Sequence, residues 1–303
     1  MLREQNRRTI SRAELQRRHP QLEQVSPEVG SLDEEALAGA LDRDLEEGTS
    51  LLVDLSRATD PKLRDRARQL AARLVVPAAR TSGPAVPGGS VRLGPVPGEG
   101  VDLDLDATLD RLAESPHLRV GDLRWRGWRR PGRAVILLVD ASGSVTGLPL
   151  TTAVVTAAAL VARSGPDDEL GVVAFWSRAV VLRPVTEAAP PGVVIDRLLA
   201  LRGGDTTDLA GGLRAALVQA GLTRALHRDV VVLTDGMANE GDDPVQVAAA
   251  AAGARSRIHV LALSSEEPDA REACTRLAAA GGGRVEFLDR AADAPGAVAR
   301  LLR

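Results

Sequence analysis

The sequence predicts an α/β fold: a doubly wound, mostly parallel sheet with one antiparallel edge strand, preceded by a small helical N-terminal region. From about residue 120, apolar runs of strand length alternate with helical patterns, which is typical of βαβ units. Segments 170–176 and 178–183 are too close together for a crossover helix, so they predict a hairpin and the antiparallel edge. A Pro- and Gly-rich stretch separates this region from the helical one.

We therefore divide the chain into four segments. Residues 1–80 are a helical N-terminal region, interpreted as a small bundle or a docking segment. Residues 81–100 are a Pro- and Gly-rich linker, and residues 101–130 are a lead-in extension with a strand and a helix. Residues 131–303 are the α/β domain.

Within the α/β region the periodicity predicts individual elements. The strand candidates are residues 121–128, 133–140, 170–176, 178–183, 229–234, 258–263 and 284–287. The helix candidates are residues 148–163, 191–200, 208–220, 244–255, 268–280 and 291–302.

Local chemistry predicts two helix starts in the N-terminal region. Ser31 and Glu34 fit a capping box, and leucines at four-residue spacing follow it up to Gly48. Asp60 and Pro61 fit an N-cap and a first helical position.

Composition excludes several classes of protein. The single cysteine, Cys274, excludes an internal disulfide framework and a thiolate metal cluster. No run approaches the roughly 18 apolar residues of a membrane span, and the first residues lack the apolar core of a signal peptide, so we expect a cytoplasmic protein. The net charge of −3 gives no general attraction to nucleic acid or anionic membranes.

The most informative motif follows the apolar run 135–139. It is an Asp-x-Ser-x-Ser sequence made by Asp140, Ser142 and Ser144. Ligands of open α/β sheets gather at the carboxyl ends of strands, and this motif lies at one. A carboxylate and two hydroxyls form a hard-oxygen cluster that suits Mg²⁺ or Mn²⁺.

Two further segments have matching chemistry. Thr207 precedes the helix predicted over 208–220 and is predicted as its N-cap. Asp235 follows the apolar run 230–233, so adjacent parallel strands would bring it close to Asp140. Thr206 is the alternative to Thr207 as a ligand; we prefer Thr207 because it directly precedes the Asp-Leu pair that opens the helix.

These three segments together resemble a von Willebrand factor A (VWA) domain with a metal-ion-dependent adhesion site (MIDAS), over residues 130–303. Asp140, Ser142, Ser144, Thr207 and Asp235 fill the five metal-ligand positions of that family. The resemblance implies bound Mg²⁺, with Mn²⁺ or Ca²⁺ as alternatives, and a partner protein whose Asp or Glu carboxylate completes the coordination. The chain departs from many bacterial members by having a valine where they have a methionine after the second serine.

Softer features point to one bacterial branch of that superfamily. The Arg-Arg-Pro-Gly lead-in, the acidic 102–106 element and the Gly-x-Thr-Thr-Asp-Leu-Ala loop are similar to relatives of the magnesium-chelatase D subunit and CoxE-type proteins. Such proteins resemble partners of MoxR-type AAA+ ATPases in protein or metal-cofactor maturation. We therefore expect a Mg²⁺-dependent interaction module; the alternatives are a metal-dependent hydrolase and an assembly component with a stabilising metal.

Catalytic motifs are missing, so we predict no enzyme activity, catalytic residues or organic cofactor. Ser142 stands where a haloacid-dehalogenase-type phosphatase needs a second aspartate. There is no Gly-x-Ser-x-Gly or His-Glu-x-x-His sequence, and the sole lysine, Lys62, is not in a P-loop. His259 lies in a predicted strand and is interpreted as a hydrogen-bonded core residue.

Two other segments have less specific patterns. Residues 102–106 begin like an EF-hand loop, but Ala107 and Ala113 stand where that loop needs Gly and Glu, which favours a short strand and a helix cap. Residues 124–130 mix arginine and tryptophan, a combination that can bind nucleic acid. We interpret it instead as a Trp-x-x-Trp pair packed on the sheet rim or as part of a protein interface, and predict no nucleic-acid or membrane partner.

Overall fold

The computed structural model describes residues 9–81, 92–96, 100–114, 119–129, 132–142, 147–190, 192–201, 203–204, 206–253, 255–263 and 268–303. Packing divides the chain into two compact units. The larger unit consists of Met1–Ala85 and Arg133–Arg303, and the smaller is Val86–Gly132. The domain boundaries given above stay a prediction.

The secondary structure follows the alternation expected from the sequence. The described helices are α1 (Arg12–Arg18), α2 (Leu22–Val25), α3 (Glu34–Arg43), α4 (Leu45–Leu55), α5 (Pro61–Thr81), α6 (Leu105–Glu114), α7 (Leu148–Arg163), α8 (Val193–Leu199), α9 (Leu209–Gly221), α10 (Pro244–Ala249), α11 (Pro268–Ala280) and α12 (Ala294–Leu301). The described strands are β1 (Arg92–Val96), β2 (Asp102–Leu103), β3 (Trp125–Arg129), β4 (Arg133–Asp140), β5 (Glu169–Phe175), β6 (Ala179–Arg183), β7 (His227–Thr234), β8 (Ser256–Leu263) and β9 (Gly282–Leu288).

The larger unit is built on a six-stranded sheet with the order β6-β5-β4-β7-β8-β9. All neighbouring pairs are parallel except β5 and β6, which form the antiparallel hairpin. The predicted fold class is therefore confirmed. Strand β4 lies between β5 and β7, so its last residue, Asp140, ends in the middle of the carboxyl edge.

Alternating residues of β4 face two separate cores. Leu137 belongs to the core that also contains residues of α7, α8 and α12, while Ile136 and Leu138 belong to the core formed with α9, α10 and α11. The sheet is thus covered on both faces, as parallel sheets usually are.

Helix α7 is apolar on all sides, and residues 150–160 are all buried. A helix of this kind has to be covered all round. Sheet residues such as Leu137 lie in the same core as α7, and α4 and α5 of the N-terminal region also pack on α7. The N-terminal helices thereby share one hydrophobic core with the sheet.

Local helix starts differ from the prediction at one of the two positions. The capping box at Ser31 is wrong: Asp33 is the N-cap of α3, and its Oδ1 accepts a hydrogen bond from Ala36 N at 3.0 Å. Gly48 does not end a helix but lies inside α4, where a side chain would clash with the backbone of Leu41. Pro61 begins α5 as predicted, with Asp60 accepting from Lys62 N at 2.8 Å.

Several predicted ranges are shorter in the structure. The strand predicted over 121–128 is a 3₁₀ turn followed by β3, and the helix predicted over 244–255 is α10 followed by another 3₁₀ turn. The helix predicted over 291–302 likewise begins with a 3₁₀ turn before α12.

The smaller unit has a three-stranded antiparallel sheet with the order β1-β3-β2. Strand β1 falls within the stretch predicted as linker. Asp104 accepts a hydrogen bond from Ala107 N at 3.2 Å at the start of α6 and forms an ion pair with Arg126, which confirms the predicted short strand and helix cap. Trp128 is 65% exposed and Trp125 is partly buried, and the expected packing of this pair on the sheet rim stays a prediction.

Over the described residues, the longest apolar helical stretches fall short of what a bilayer span requires.

Candidate metal centre

Asp140 lies at the carboxyl end of β4 and is held through both carboxylate oxygens. Its Oδ1 accepts a hydrogen bond from Ser142 N at 2.9 Å, and its Oδ2 accepts one from Thr234 Oγ1 at 2.9 Å. The Thr234 hydroxyl in turn accepts from Gly236 N at 3.1 Å. These contacts fix the orientation of the carboxylate, and each oxygen keeps a further lone pair.

The electrostatic environment of Asp140 is unfavourable for a bare carboxylate. Burial raises the pKa of Asp140, and the charge of Asp235 raises it further, against the lowering effect of the hydrogen bonds from Ser142 and Thr234. A divalent cation would favour the ionised form of both carboxylates. The residues present therefore fit a hard cation.

Hydroxyl oxygens are needed to complete such a site. In the part of the chain that the structure describes, no three His, Cys, Asp or Glu side chains come together as a metal site. The predicted centre differs from such a cluster because it has two carboxylates, and Ser and Thr hydroxyl oxygens provide the remaining ligands.

The loop of Thr207 is tied to the loop that follows β7. Thr207 N donates to Asn239 Oδ1 at 2.8 Å, and the Thr207 carbonyl accepts from Asn239 N at 3.2 Å and Glu240 N at 3.3 Å. Thr207 is buried, whereas Thr206 is exposed. These bonds hold the Thr207 loop against the loop that contains Asp235.

The prediction that Thr207 is the N-cap of the following helix is wrong. Asp208 is the N-cap of α9, and its Oδ1 accepts from Gly211 N at 2.8 Å. Asp208 N also donates to Trp176 O at 2.7 Å, which anchors the start of α9 at the end of β5. The Thr207 side chain is consequently not used for capping.

Asp235 is exposed just beyond β7, and its Oδ1 accepts from Met237 N at 2.9 Å. The turn depends on Gly236, whose φ is +87° and whose Cβ position would lie 2.7 Å from Cys274 Sγ. Burial, followed by the charge of Asp235, raises the pKa of Cys274 to about 11. Cys274 is therefore a neutral packing residue beneath this turn and not a thiolate ligand.

The Asp140 motif also pairs with the loop before α9. Ser142 forms a parallel bridge with Gly204, and Gly204 N donates to Ala141 O at 3.2 Å. Ser144 lies outside the described residues. The three motif-bearing loops are thus joined by hydrogen bonds at one edge of the sheet, while the assignment of the five ligands stays a prediction.

Two residues that position these loops are not singled out by sequence reasoning. Thr234 directly precedes Asp235, and a hydroxyl at the end of a buried strand was a usable signal. Asn239 had none, because its contact with Thr207 spans 32 residues.

The histidine predicted as a core residue is confirmed. His259 is buried, its Nε2 is 3.3 Å from Asp229 Oδ1, and its Nδ1 accepts from Arg284 N at 3.2 Å. Asp229 lies near the amino end of β7, on the opposite edge of the sheet from Asp140.

Fold and candidate site together define a doubly wound α/β domain with an oxygen-rich carboxyl edge. The family described as VWA domain containing CoxE-like protein matches residues 85–289, more than half of the chain. The chain therefore belongs to this family. The matched range includes the smaller unit as well as all six strands of the larger unit's sheet.

Two curated relatives share part of this sequence. The protein sll0103 of Synechocystis sp., described as uncharacterized, is 30% identical over 175 residues, which cover 55% of this chain and 40% of the relative. Rv2850c of Mycobacterium tuberculosis, described likewise, is 36% identical over 126 residues, or 38% of this chain and 19% of the relative. The chain thus matches less than half the length of either.

Solved structures show more distant likeness. An aerotolerance-related membrane protein from Bacteroides fragilis has a TM-score of 0.46 at 20% identity, covering 56% of this chain and 98% of that one. Proximal thread matrix protein 1 from the mussel byssus was solved with a zinc-occupied MIDAS motif. It has a TM-score of 0.44 at 17% identity, covering 52% of this chain and 41% of that one.

Proposed function

We propose that this chain is a Mg²⁺-dependent protein–protein interaction module. The observation that supports it most is the state of Asp140: an oriented carboxylate, partly buried beside Asp235, whose pKa is raised rather than lowered. Such a pair of carboxylates at the carboxyl edge of an α/β sheet is suited to a divalent cation.

Asp140, Ser142, Ser144, Thr207 and Asp235 would hold the cation, and Thr234 and Asn239 would position them. Mg²⁺ bound there supplies a Lewis-acidic position that a carboxylate of a partner can occupy. The protein's own contribution is to orient Asp140 through Ser142 N and Thr234 Oγ1 and to keep the Thr207 loop in place through Asn239.

We propose no catalytic role for this centre. Of the histidines that the structure describes, His19 and His259 are buried against carboxylates, and His227 is at the amino end of β7. His227 and His259 are therefore away from the carboxyl edge, and the His19 ring is engaged by Asp54 at 3.0 Å, so we assign none of the three as a general base.

The partner we propose is a MoxR-type AAA+ ATPase in the cytoplasm, with this chain as its adaptor in protein or metal-cofactor maturation. This rests on the family to which the chain belongs and on the resemblance of its lead-in and loops to that bacterial branch.

Binding between the purified chain and a MoxR-type ATPase from the same genome tests the proposal. Complex formation should require Mg²⁺, reverse with excess chelator, and be lost in Asp140→Asn. Asp269→Asn, the same chemical change at an exposed position of α11, should bind like the unmodified chain. If chelation lowers thermal stability but the complex persists, the metal is only structural and the proposal is wrong.

A further inference from the structure

A cavity of about 510 Å³ lies beside the first turn of α7, the helix that follows the Asp-x-Ser-x-Ser loop. Leu148 and Thr151 of α7 form one wall, and residues around Pro20 and the first turns of α4 form the others. Leu148 is only four residues beyond Ser144 in the chain. The volume lies in the range of ligand pockets, roughly 300–1,000 Å³.

The charge around this cavity is negative on balance. Arg18 and His19 line it, but Arg18 forms ion pairs with Glu14 and Asp54, and His19 Nε2 is 3.0 Å from the same Asp54 carboxylate. The basic groups on this wall are therefore already matched by acids of the chain.

The opposite wall has acids in excess. Glu46 Oε2 lies 3.5 Å from Arg290 Nε, and the same arginine forms a second ion pair, from Nη2 to Asp44 Oδ2, at 3.0 Å. Glu47, next to it, is exposed, and its carboxylate has no ion pair or hydrogen bond among the described residues. Glu47 is thus the uncompensated charge of the cavity.

A buried hydroxyl without a partner marks the same place. Thr151 lines the cavity and is fully buried, and its Oγ1 forms no hydrogen bond within the described structure. An orphaned buried hydroxyl is destabilising unless a ligand supplies its partner. Ser50 adds a second hydroxyl, and Leu148, 48% exposed, adds apolar surface.

We infer that this cavity receives a lysine or arginine side chain of the partner whose carboxylate meets the metal. The aliphatic stem would lie along Leu148 and Pro20, and the cationic head would reach Glu47 with the Thr151 and Ser50 hydroxyls as further acceptors. This inference rests on the proposed function. The metal would recognise an acidic residue of the partner, and the cavity would recognise a basic residue of the same partner.

A panel of labelled synthetic peptides tests it on the full-length chain in Mg²⁺. Each peptide has one aspartate and, two to eight residues away, a lysine, glutamine or glutamate; these spacings span up to about 28 Å when extended. Fluorescence polarisation should show the lysine peptide binding about fivefold more tightly than the glutamine peptide at the best spacing, and the glutamate peptide more weakly than both.

Two variants of the chain assign the effect to the cavity. Glu47→Gln should remove the preference for lysine while the metal-dependent binding of the aspartate remains, and Glu272→Gln, an exposed glutamate on α11, should leave the preference intact. Thr151→Val should also weaken the lysine preference but raise the melting temperature, because it removes an unpaired hydroxyl at similar shape.

The outcomes separate this inference from the function on which it rests. Mg²⁺-dependent binding of the aspartate without any preference for lysine at any spacing overturns the cavity assignment alone. A preference for lysine that is insensitive to Mg²⁺ and to Asp140→Asn supports the cavity and contradicts the metal-dependent interaction. No binding by any peptide contradicts both.

Discussion

At Asp140, the side chain of Thr234 performs two tasks with one hydroxyl. It donates to Asp140 Oδ2 and accepts from Gly236 N, so it links the ends of β4 and β7. Groups that orient metal ligands in this way commonly change metal affinity by about 10- to 100-fold when they are removed.

We therefore predict that Thr234→Val weakens Mn²⁺ binding by about tenfold or more, measured by isothermal titration calorimetry. It should also lower the free energy of unfolding by about 1–3 kcal/mol, because the Gly236 N–H loses its acceptor. Thr275→Val on the exposed side of α11 is the matched control and should change neither quantity. Unchanged Mn²⁺ affinity in Thr234→Val would show that the hydroxyl does not orient a metal ligand.

At the start of α9, two neighbouring residues have different roles. Asp208 caps the helix, and Thr207 is the proposed metal ligand. Asp208 accepts from Gly211 N, while the hydrogen bonds that hold Thr207 among the described residues are those of its backbone with Asn239 and Glu240. Both residue types are common N-caps, so the sequence alone does not distinguish them.

Asp208→Ala should consequently lower the free energy of unfolding by about 1 kcal/mol, whereas Asp208→Asn should largely keep it. Thr207→Val should leave stability nearly unchanged and weaken Mn²⁺ binding. Urea unfolding and calorimetry on the same three variants measure both effects. The reverse pattern, with stability lost in Thr207→Val and metal affinity unchanged, would make Thr207 a structural residue.

The elements that the sequence predicts well are those whose environment is uniform along their length. β4 and α7 have the predicted bounds because a continuous apolar run is what a strand or helix buried on all sides requires. The start of α3 was mispredicted because Ser31 and Asp33 both suit an N-cap and only the path of the chain decides between them. The Thr207–Asn239 contact is tertiary and has no local signature.

In the whole molecule, the N-terminal helices complete the core around α7. Leu52 of α4 is fully buried in the same cluster as Leu137 of β4 and Val154 of α7. The helical region therefore covers a face of α7 that would otherwise be apolar and exposed.

Leu52→Ala should lower the free energy of unfolding by about 2–5 kcal/mol in a single transition that circular dichroism and tryptophan fluorescence report at the same urea concentration. Val218→Ala, at a position 62% exposed on α9, should have little effect. Two separate transitions, with only the first shifted by Leu52→Ala, would mean that the helical region folds independently.

Asp229, at the amino edge of the sheet, should make the stability of the fold depend on pH. Burial alone raises the pKa of Asp229, but the hydrogen bond from His259 and the charge of Arg257 outweigh it, so the net pKa is lowered. Such a carboxylate stabilises the fold above its unfolded-state pKa of about 3.9, and the contribution is lost as the pH falls toward the lower folded-state value.

Asp229→Asn should therefore be less stable than the unmodified chain at pH 7, and the difference should shrink below about pH 4. Urea unfolding at a series of pH values measures it. The Asp229 carboxylate forms an ion pair with Arg257 at 2.8 Å, and a difference that stays constant down to about pH 3 would contradict its stabilising role.

The most direct test of the metal-dependent interaction is the proton relaxation of water in the presence of Mn²⁺ and the full-length chain. We predict that Mn²⁺ bound at the Asp140 site retains exchangeable water, and that adding an aspartate-containing peptide lowers the relaxation enhancement as its carboxylate replaces that water. Asp140→Asn should show no enhancement, and Asp269→Asn should behave like the unmodified chain. Tight Mn²⁺ binding with an enhancement that no carboxylate peptide alters would contradict a site that docks a partner.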